Sequence, residues 1–122
     1  MADFTYEDHQ RQAAQIAAHL VRLMNDRFRQ SFIGGSLMMT AGIIALGAAK
    51  QGLIFAEIKR FDGFTDDNDP WCEHDFGAII VVEERIFFKI DYFNRNREWC
   101  SPDPADPEVT ERVKTVMLAT EY

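Results

Sequence analysis

The residues best suited by type to binding or catalysis lie together between positions 66 and 75. This segment holds five carboxylates and one histidine, and it contains no lysine or arginine. Carboxylates at this density repel one another, so the segment gains no stability from its own charges. We expect it either to lie in solvent or to meet a metal ion, a basic protein surface, or arginine and lysine from elsewhere in the chain. The carboxylates are Asp66, Asp67, Asp69, Glu73 and Asp75, and the histidine is His74.

A divalent metal is one ligand that this acidic segment suggests, because hard cations take oxygen ligands. An EF-hand is excluded. Counting from Asp66, Pro70 stands where the loop needs an acid or amide, and Trp71 stands where it needs glycine. No cofactor is predicted in the first interpretation, and an irregular metal site is the alternative. The ligands of that site would be Asp66, Asn68, Glu73 and His74.

His74 and Asp75 suggest catalysis, since an imidazole beside a carboxylate can act as a general base. A hydrolytic zinc site usually needs about two or three histidine ligands. The other two histidines, His9 and His19, face different directions of a predicted helix, and Cys100 has no recognisable partner. The sequence therefore leans against an enzyme, with a metal-dependent hydrolase using His74 as the alternative. The simpler interpretation is that His74 and Asp75 bind loop backbone.

A basic protein partner is the other ligand that the acidic segment suggests. The net charge of −7 and the pI of about 4.8 disfavour direct binding to nucleic acid or to an anionic membrane. They suit a basic partner, including a protein that holds nucleic acid, although solubility alone also explains them. The binding residues would be Asp66, Asp67, Asp69, Trp71, Glu73 and Asp75, with Trp71 as the anchor.

The periodicity of the chain predicts the elements that position this segment. The class is α+β, with a mainly antiparallel sheet of about four strands packed against a long N-terminal helix, a short buried helix and a C-terminal helix. The first helix begins at Thr5, where Asp8 closes a capping box. Helices are predicted at 5–31, 41–50 and 107–120, and strands at 36–40, 53–61, 76–82 and 85–92.

The sequence also predicts where helices begin and end and which face of the first helix is buried. Gly52 is taken as the end of the second helix, and Asp106 with Pro107 as the start of the last. The first helix is predicted to bury an apolar face and to expose a polar one. The apolar face contains Ala13, Ile16, Leu20, Leu23 and Phe28, and the polar face contains Arg11, Arg22, Asn25 and Arg29.

The length of 122 residues predicts a single globular domain, 1–122. The polar N-terminus and the unpaired spacing of Cys72 and Cys100 predict a cytoplasmic protein with reduced thiols. The uncharged stretch 30–49 contains too many glycines and polar residues for a membrane span. The apolar helix around Ile43 and Ile44 offers a third alternative, a structural subunit of a small homo-oligomer such as a homodimer.

Several longer motifs carry a family resemblance over residues 40–122. They are Thr40-Ala41-Gly42-Ile43, Asp67-Asn68-Asp69-Pro70, Glu73-His74-Asp75-Phe76-Gly77, Lys89-Ile90-Asp91-Tyr92 and Ser101-Pro102-Asp103-Pro104-Ala105-Asp106-Pro107. They resemble an uncharacterised family of small bacterial proteins, common in alphaproteobacteria and often found on plasmids and other mobile elements. The chain departs from the family pattern at Cys72, Cys100 and Phe88.

This resemblance implies a context and no activity, since the family is a domain of unknown function. Similar genes tend to lie among antirestriction and other anti-defence genes. The first hypothesis is therefore an acidic inhibitor, of the anti-CRISPR or antirestriction type, that blocks a nucleic-acid-handling host defence complex.

Overall fold

Local sequence signals start and end the first helix. In the computed structural model, which describes residues 5–122, helix α1 spans Tyr6–Ser31. The Thr5 hydroxyl accepts a hydrogen bond from Asp8 N at 3.1 Å, and the Asp8 carboxylate accepts one from Thr5 N at 3.0 Å. The predicted capping box is thus confirmed. Phe32 ends the helix in the left-handed conformation, with φ of 58°.

The described residues confirm the α+β class and the count of four strands. The strands are β1 (Ser36–Met39), β2 (Phe76–Val81), β3 (Glu84–Phe93) and β4 (Glu111–Leu118). The helices after α1 are α2 (Ala41–Ala45) and α3 (Ala48–Arg60), and a 3-10 turn follows at Ala119–Glu121. None of the helices in this part of the chain has the length and apolar character that crossing a membrane requires.

The sheet has the order β1-β4-β3-β2. Its β2–β3 and β3–β4 pairs are antiparallel, which confirms a mainly antiparallel sheet, and its β1–β4 pair is parallel. This order makes β4 a central strand and leaves β1 and β2 at the edges. The helices α2 and α3 pack on one face of the sheet, where the core contains Ile43, Ile54, Ile58, Ile86, Phe88 and Val116.

Residues 53–60 lie in α3, so the strand predicted at 53–61 is wrong. Ile54 and Ile58 lie four residues apart and are both buried, which is the spacing of a helix face. The break between helices falls at Gly47, whose φ of 88° suits glycine. Gly52 lies inside α3, where open space surrounds it, and it does not end a helix.

The predicted C-terminal helix at 107–120 is also wrong, because residues 111–118 form β4. The strand is buried on both faces, and one of those faces carries Arg112 and Lys114. Two charged residues at core positions hide the alternation of a strand, so the remaining apolar residues matched a helical spacing. The Asp106 carboxylate accepts a hydrogen bond from Glu108 N at 2.9 Å, within a turn.

Helix α1 buries a face that only partly matches the predicted one. Phe28 of the predicted apolar face is buried, which confirms that part, but Ile16, at 62% exposure, and Leu23 are exposed. Asn25 and Arg29 of the predicted polar face are buried. The interior that receives α1 is polar at this point, so polar side chains face inward. In α2, Ile44 is likewise exposed although it was predicted to be buried.

Candidate functional site

The acidic segment lies in the loop that joins α3 to β2, and short polar side chains fold the first part of this loop. Asn68 Oδ1 accepts a hydrogen bond from Thr65 N at 2.8 Å, and Asn68 Nδ2 donates to Gly63 O at 2.9 Å. Asp69 N donates to Thr65 O at 2.8 Å. The side chains of this turn therefore satisfy its own backbone groups.

Asp69 holds the second part of the loop from the inside. Its carboxylate is only 6% exposed, and it accepts hydrogen bonds from Glu73 N at 3.1 Å and His74 N at 3.2 Å. His74 has the left-handed φ of 56°, a conformation that costs energy for a non-glycine residue. The carboxylate bonds hold the backbone in that conformation, so Asp69 serves the loop itself.

His74 joins the loop to α1. Its Nδ1 lies 2.8 Å from Asp26 Oδ1, and its ring stacks on Phe64 with the ring centroids 3.9 Å apart. Arg29 Nη1 donates to the same Asp26 oxygen at 2.7 Å. An imidazole stacked on a ring and bonded to a carboxylate is fixed in orientation. The His74 side chain therefore contacts a carboxylate of α1, whereas the simpler interpretation expected it to bind loop backbone. The contact positions the loop against α1.

Glu73 belongs to a buried polar network that spans three elements. Asn25 Nδ2 of α1 donates to Glu73 O at 2.9 Å and to the Tyr92 hydroxyl at 2.7 Å. Arg112 Nε of β4 donates to Asn25 Oδ1 at 3.0 Å, and the Tyr92 hydroxyl donates to Glu73 Oε2 at 3.3 Å. Each of these four side chains therefore has at least one hydrogen-bond partner inside the protein.

The electrostatics of this network follow from burial. Burial, with the nearby Asp75 carboxylate, raises the pKa of Glu73 above the usual carboxyl value. Burial and the Asp69 charge raise the pKa of Asp75 in the same direction, and burial also raises the pKa of the Tyr92 hydroxyl.

Three of the six predicted partner-binding residues lie at the surface. Trp71 is 78% exposed, and Asp66 and Asp67 are exposed. Neither aspartate side chain makes a hydrogen bond or an ion pair with any described residue. The six predicted partner-binding residues thus separate into an outward set and an inward set. The outward set is Asp66, Asp67 and Trp71, and the inward set is Asp69, Glu73 and Asp75.

Three of the four alternative metal ligands are bonded to protein groups, and Asp66 is bonded to none among the described residues. Asn68 binds loop backbone, Glu73 binds the Tyr92 hydroxyl, and His74 binds Asp26. Within residues 5–122, no three His, Cys, Asp or Glu side chains are placed to hold a metal ion together. The metal-dependent hydrolase stays a prediction. It requires Mg²⁺, Mn²⁺, Ca²⁺ or Zn²⁺ to raise the melting temperature and a chelator to reverse the gain.

An apolar groove lies beside the exposed tryptophan. Trp71 borders a space of about 320 Å³ that is also lined by Ala17 and Val21 of α1 and by Pro104. Cys72 follows Trp71 and, like Cys100, is exposed and free.

Sequence reasoning missed the residues of other elements that meet the loop. Asp26 and Arg29 form an i,i+3 ion pair on α1, and that spacing marks them as a local pair. Nothing local indicates that His74, far along the chain, joins this pair. Asn25 and Arg112 gave no signal as buried residues, because both types are usually exposed.

One protein family matches the part of the chain that contains this site. A family model described as "Protein of unknown function (DUF3768)" matches residues 39–121. That range includes the whole acidic loop and all of β2, β3 and β4, and it leaves out α1 with its Asp26 and Asn25. No curated protein and no solved structure matches the chain.

Proposed function

The chain belongs to this family of proteins of unknown function, and we propose that it is an acidic protein-binding inhibitor. Its partner is a basic protein surface on a nucleic-acid-handling host defence complex, which makes the inhibitor one of the anti-CRISPR or antirestriction type. One observation carries the proposal. The acidic loop is held by its inward residues, while Asp66, Asp67 and Trp71 face solvent without any partner among the described residues.

A loop held in this way binds at low entropic cost. The bonds of Asp69 to the backbone and of His74 to Asp26 are already made in the free protein. Ordering a loop on association opposes binding, so a loop that is ordered beforehand loses less affinity. The internal contacts therefore order the loop, and the exposed side chains are the ones that would contact the partner.

Trp71 has the features of an interface anchor. Tryptophan is enriched among residues that dominate binding energy, and such residues fill desolvated pockets. Here the exposed indole stands beside the apolar groove of Ala17, Val21 and Pro104. A partner that covers Trp71 and this groove would bury apolar area from both the loop and α1.

Charge supports the choice of a basic partner. Asp66 and Asp67 place two unpaired negative charges in the same loop as Trp71, in a chain whose net charge is −7. Carboxylates compete with phosphates for the same arginine and lysine side chains. The family resemblance, with its setting among anti-defence genes, supports a defence complex as the owner of that basic surface.

A matched pair of variants tests the proposal by pull-down from host lysate. The test variant carries Asp66→Asn, Asp67→Asn and Trp71→Ala. The control carries Glu83→Gln, Glu98→Gln and Trp99→Ala, which removes the same charges and the same aromatic ring from exposed positions elsewhere. We expect the native chain and the control to retain a nucleic-acid-binding complex and the test variant to lose it.

Salt dependence gives a second readout of the same interaction. Because exposed charges are screened by salt, retention of the complex should fall as ionic strength rises. Two results would exclude the acidic loop as the binding surface. One is equal retention of the complex by the test variant and the native chain, and the other is retention that does not change with ionic strength.

A further inference from the structure

A second cavity lies away from the acidic loop. It has a volume of about 510 Å³ and lies between the C-terminal half of α1, the turn that follows α1, and the start of β4. This size is within the range of pockets that hold small molecules. Met24, Ile33 and Pro107 give it apolar walls, while Gly34 and Gly35 bring main chain to its surface.

The charge of this cavity is opposite to that of the chain as a whole. Arg27, Arg95 and Arg112 line it, together with one carboxylate, Glu111. The lining residues therefore carry two positive charges in excess, in a protein with a net charge of −7. An anion approaching this cavity meets attraction, although most of the surface repels it.

The one carboxylate of the lining is already paired. Glu111 Oε2 lies 3.2 Å from Arg95 Nη1, and Glu111 Oε1 lies 3.0 Å from Arg97 Nη2, which stands just outside the cavity. Hydrogen bonds from Ser36 and Arg97 lower the pKa of Glu111. The charge of Glu111 is thus engaged by these two arginines and does not neutralise Arg27 or Arg112.

Arg112 is buried with part of its guanidinium unused. The residue is 3% exposed, its Nε donates to Asn25 Oδ1, and its Nη2 donates to Pro104 O. Its Nη1 has no hydrogen-bond partner among residues 5–122. Burial lowers the pKa of Arg112, and the charge of Glu73 opposes this by favouring the protonated guanidinium. No carboxylate of the described residues forms an ion pair with Arg112, so an anion supplied from outside would further offset the cost of burying its charge.

Arg27 brings a second free guanidinium to the same space. It lies on α1 at the surface, and its side chain makes no hydrogen bond or ion pair with the described part of the chain. Arg27 and Arg112 thus line one cavity, the first with its whole guanidinium unpaired and the second with its Nη1 unpaired among the described residues. Two such groups suit an oxyanion, because guanidinium geometry matches that of carboxylate and phosphate.

We propose that this cavity binds a small organic anion whose carboxylate or phosphate group is held by Arg27 and Arg112. The apolar walls formed by Met24, Ile33 and Pro107 receive a compact apolar body. This site contains none of the outward residues of the acidic loop, so it stands independently of the proposed function.

Simple anions used as probes test the site on the full chain. Acetate and inorganic phosphate are each titrated at constant ionic strength, with sodium chloride as the balancing salt, while the amide resonances of Gly34 and Gly35 are followed by NMR. Arg27→Gln removes one guanidinium from an exposed position and should leave the fold intact. Arg11→Gln is the control, since Arg11 is an exposed arginine on the same helix outside the cavity.

We expect saturable shifts with at least one probe. Loss of one charge-assisted hydrogen bond should weaken binding about ten-fold in Arg27→Gln, and Arg11→Gln should bind like the native chain. The probe that saturates identifies the head group as carboxylate, phosphate or either. The site does not exist if neither probe saturates, or if the two variants bind equally well.

Discussion

At the scale of single residues, the acidic loop shows that surroundings decide what a carboxylate does. Asp67 and Asp69 have the same side chain and lie two positions apart. Asp67 is exposed, whereas Asp69 is buried and accepts backbone hydrogen bonds from Glu73 and His74. One carboxylate is therefore available to a partner, and the other stabilises the loop.

Replacing these two aspartates separately should give very different stabilities. Asp69→Ala leaves the N–H groups of Glu73 and His74 without an acceptor, so we expect the free energy of unfolding to fall by about 2–3 kcal/mol. Asp67→Ala removes an exposed side chain and should change it by less than about 0.5 kcal/mol. Urea denaturation measures both, and equal effects of the two substitutions would contradict the structural role of Asp69.

Lys114 is a charged residue in an apolar setting. Its Nζ donates to Phe28 O at 3.0 Å and lies 3.2 Å from the centroid of the Phe32 ring. Burial, with the positive charges of Arg29 and Lys59, lowers the pKa of Lys114 to about 7. The protonated ammonium therefore destabilises the folded state relative to the unfolded chain.

This lowered pKa predicts stability that increases with pH. An unfolded lysine has a pKa near 10.4, so above pH 7 the unfolded state binds more protons than the folded one. The free energy of unfolding should rise from about pH 7 to about pH 9.5, by up to about 1.4 kcal/mol per pH unit. Below pH 7 Lys114 is protonated in both the folded and the unfolded state. Its unfavourable contribution to the free energy of unfolding therefore no longer changes with pH.

Urea denaturation at several pH values measures this effect, with substitution variants as controls. Lys114→Met should flatten the rise, whereas Lys89→Met, at a more exposed position, should retain it. The raised pKa of Tyr92 acts above about pH 10 in the opposite direction, so the window ends below that value. A native chain whose stability is flat over this window would contradict a lowered pKa at Lys114.

At the scale of elements, two glycines show how packing decides whether a side chain is tolerated. A Cβ atom at Gly77 of β2 would lie 2.4 Å from the Phe88 ring and 2.9 Å from the Phe61 ring. A Cβ atom at Gly52 of α3 would meet nothing within 4 Å. The first glycine allows two aromatic rings to cover the sheet, and the second fills no packing role.

Alanine at these two positions should change stability in opposite directions. Gly77→Ala forces the Phe88 ring to move within a packed core, and we expect a loss of about 1–3 kcal/mol. Gly52→Ala adds a better helix former at an open position inside α3, and we expect a gain of about 0.5–1 kcal/mol. Thermal unfolding of the two variants measures both, and a shift of the same sign in each would refute the packing difference.

At the scale of the whole molecule, α1 has two halves with different roles. Its buried residues begin at Val21 and include Asn25 and Phe28. Asn25 and Phe28 bind Arg112 and Lys114, which lie in the region that the family model covers. The core of that region thus depends on residues that precede the match at 39.

Two truncations separate the halves of α1. A chain that begins at Ala17 keeps Val21, Asn25 and Phe28, so its melting temperature should stay close to that of the full chain. A chain that begins at Ser36 keeps β1 but leaves Arg112 and Lys114 without these partners, and we expect no cooperative unfolding transition. Circular dichroism during heating compares the two, and a cooperative transition in the shorter chain would show that α1 is dispensable for folding.

The sequence by itself determined the features that depend on near neighbours. The capping box of Thr5 and Asp8, the length of α1, the strands β2 and β3, and the α+β class were all predicted and confirmed. These features arise from contacts a few residues apart, so their pattern is readable along the chain. The acidity of the loop is likewise a property of its composition.

Only the tertiary structure decided which residues the loop and the sheet bring together. Segment 107–120 carried a helical pattern, yet 111–118 form a central strand, because pairing with β1 and β3 satisfies the backbone groups of those residues. The burial of Arg112 beside Asn25, and the bond of His74 to Asp26, join residues far apart in sequence. Such contacts depend on how the elements pack, and the local periodicity of the sequence does not indicate that packing.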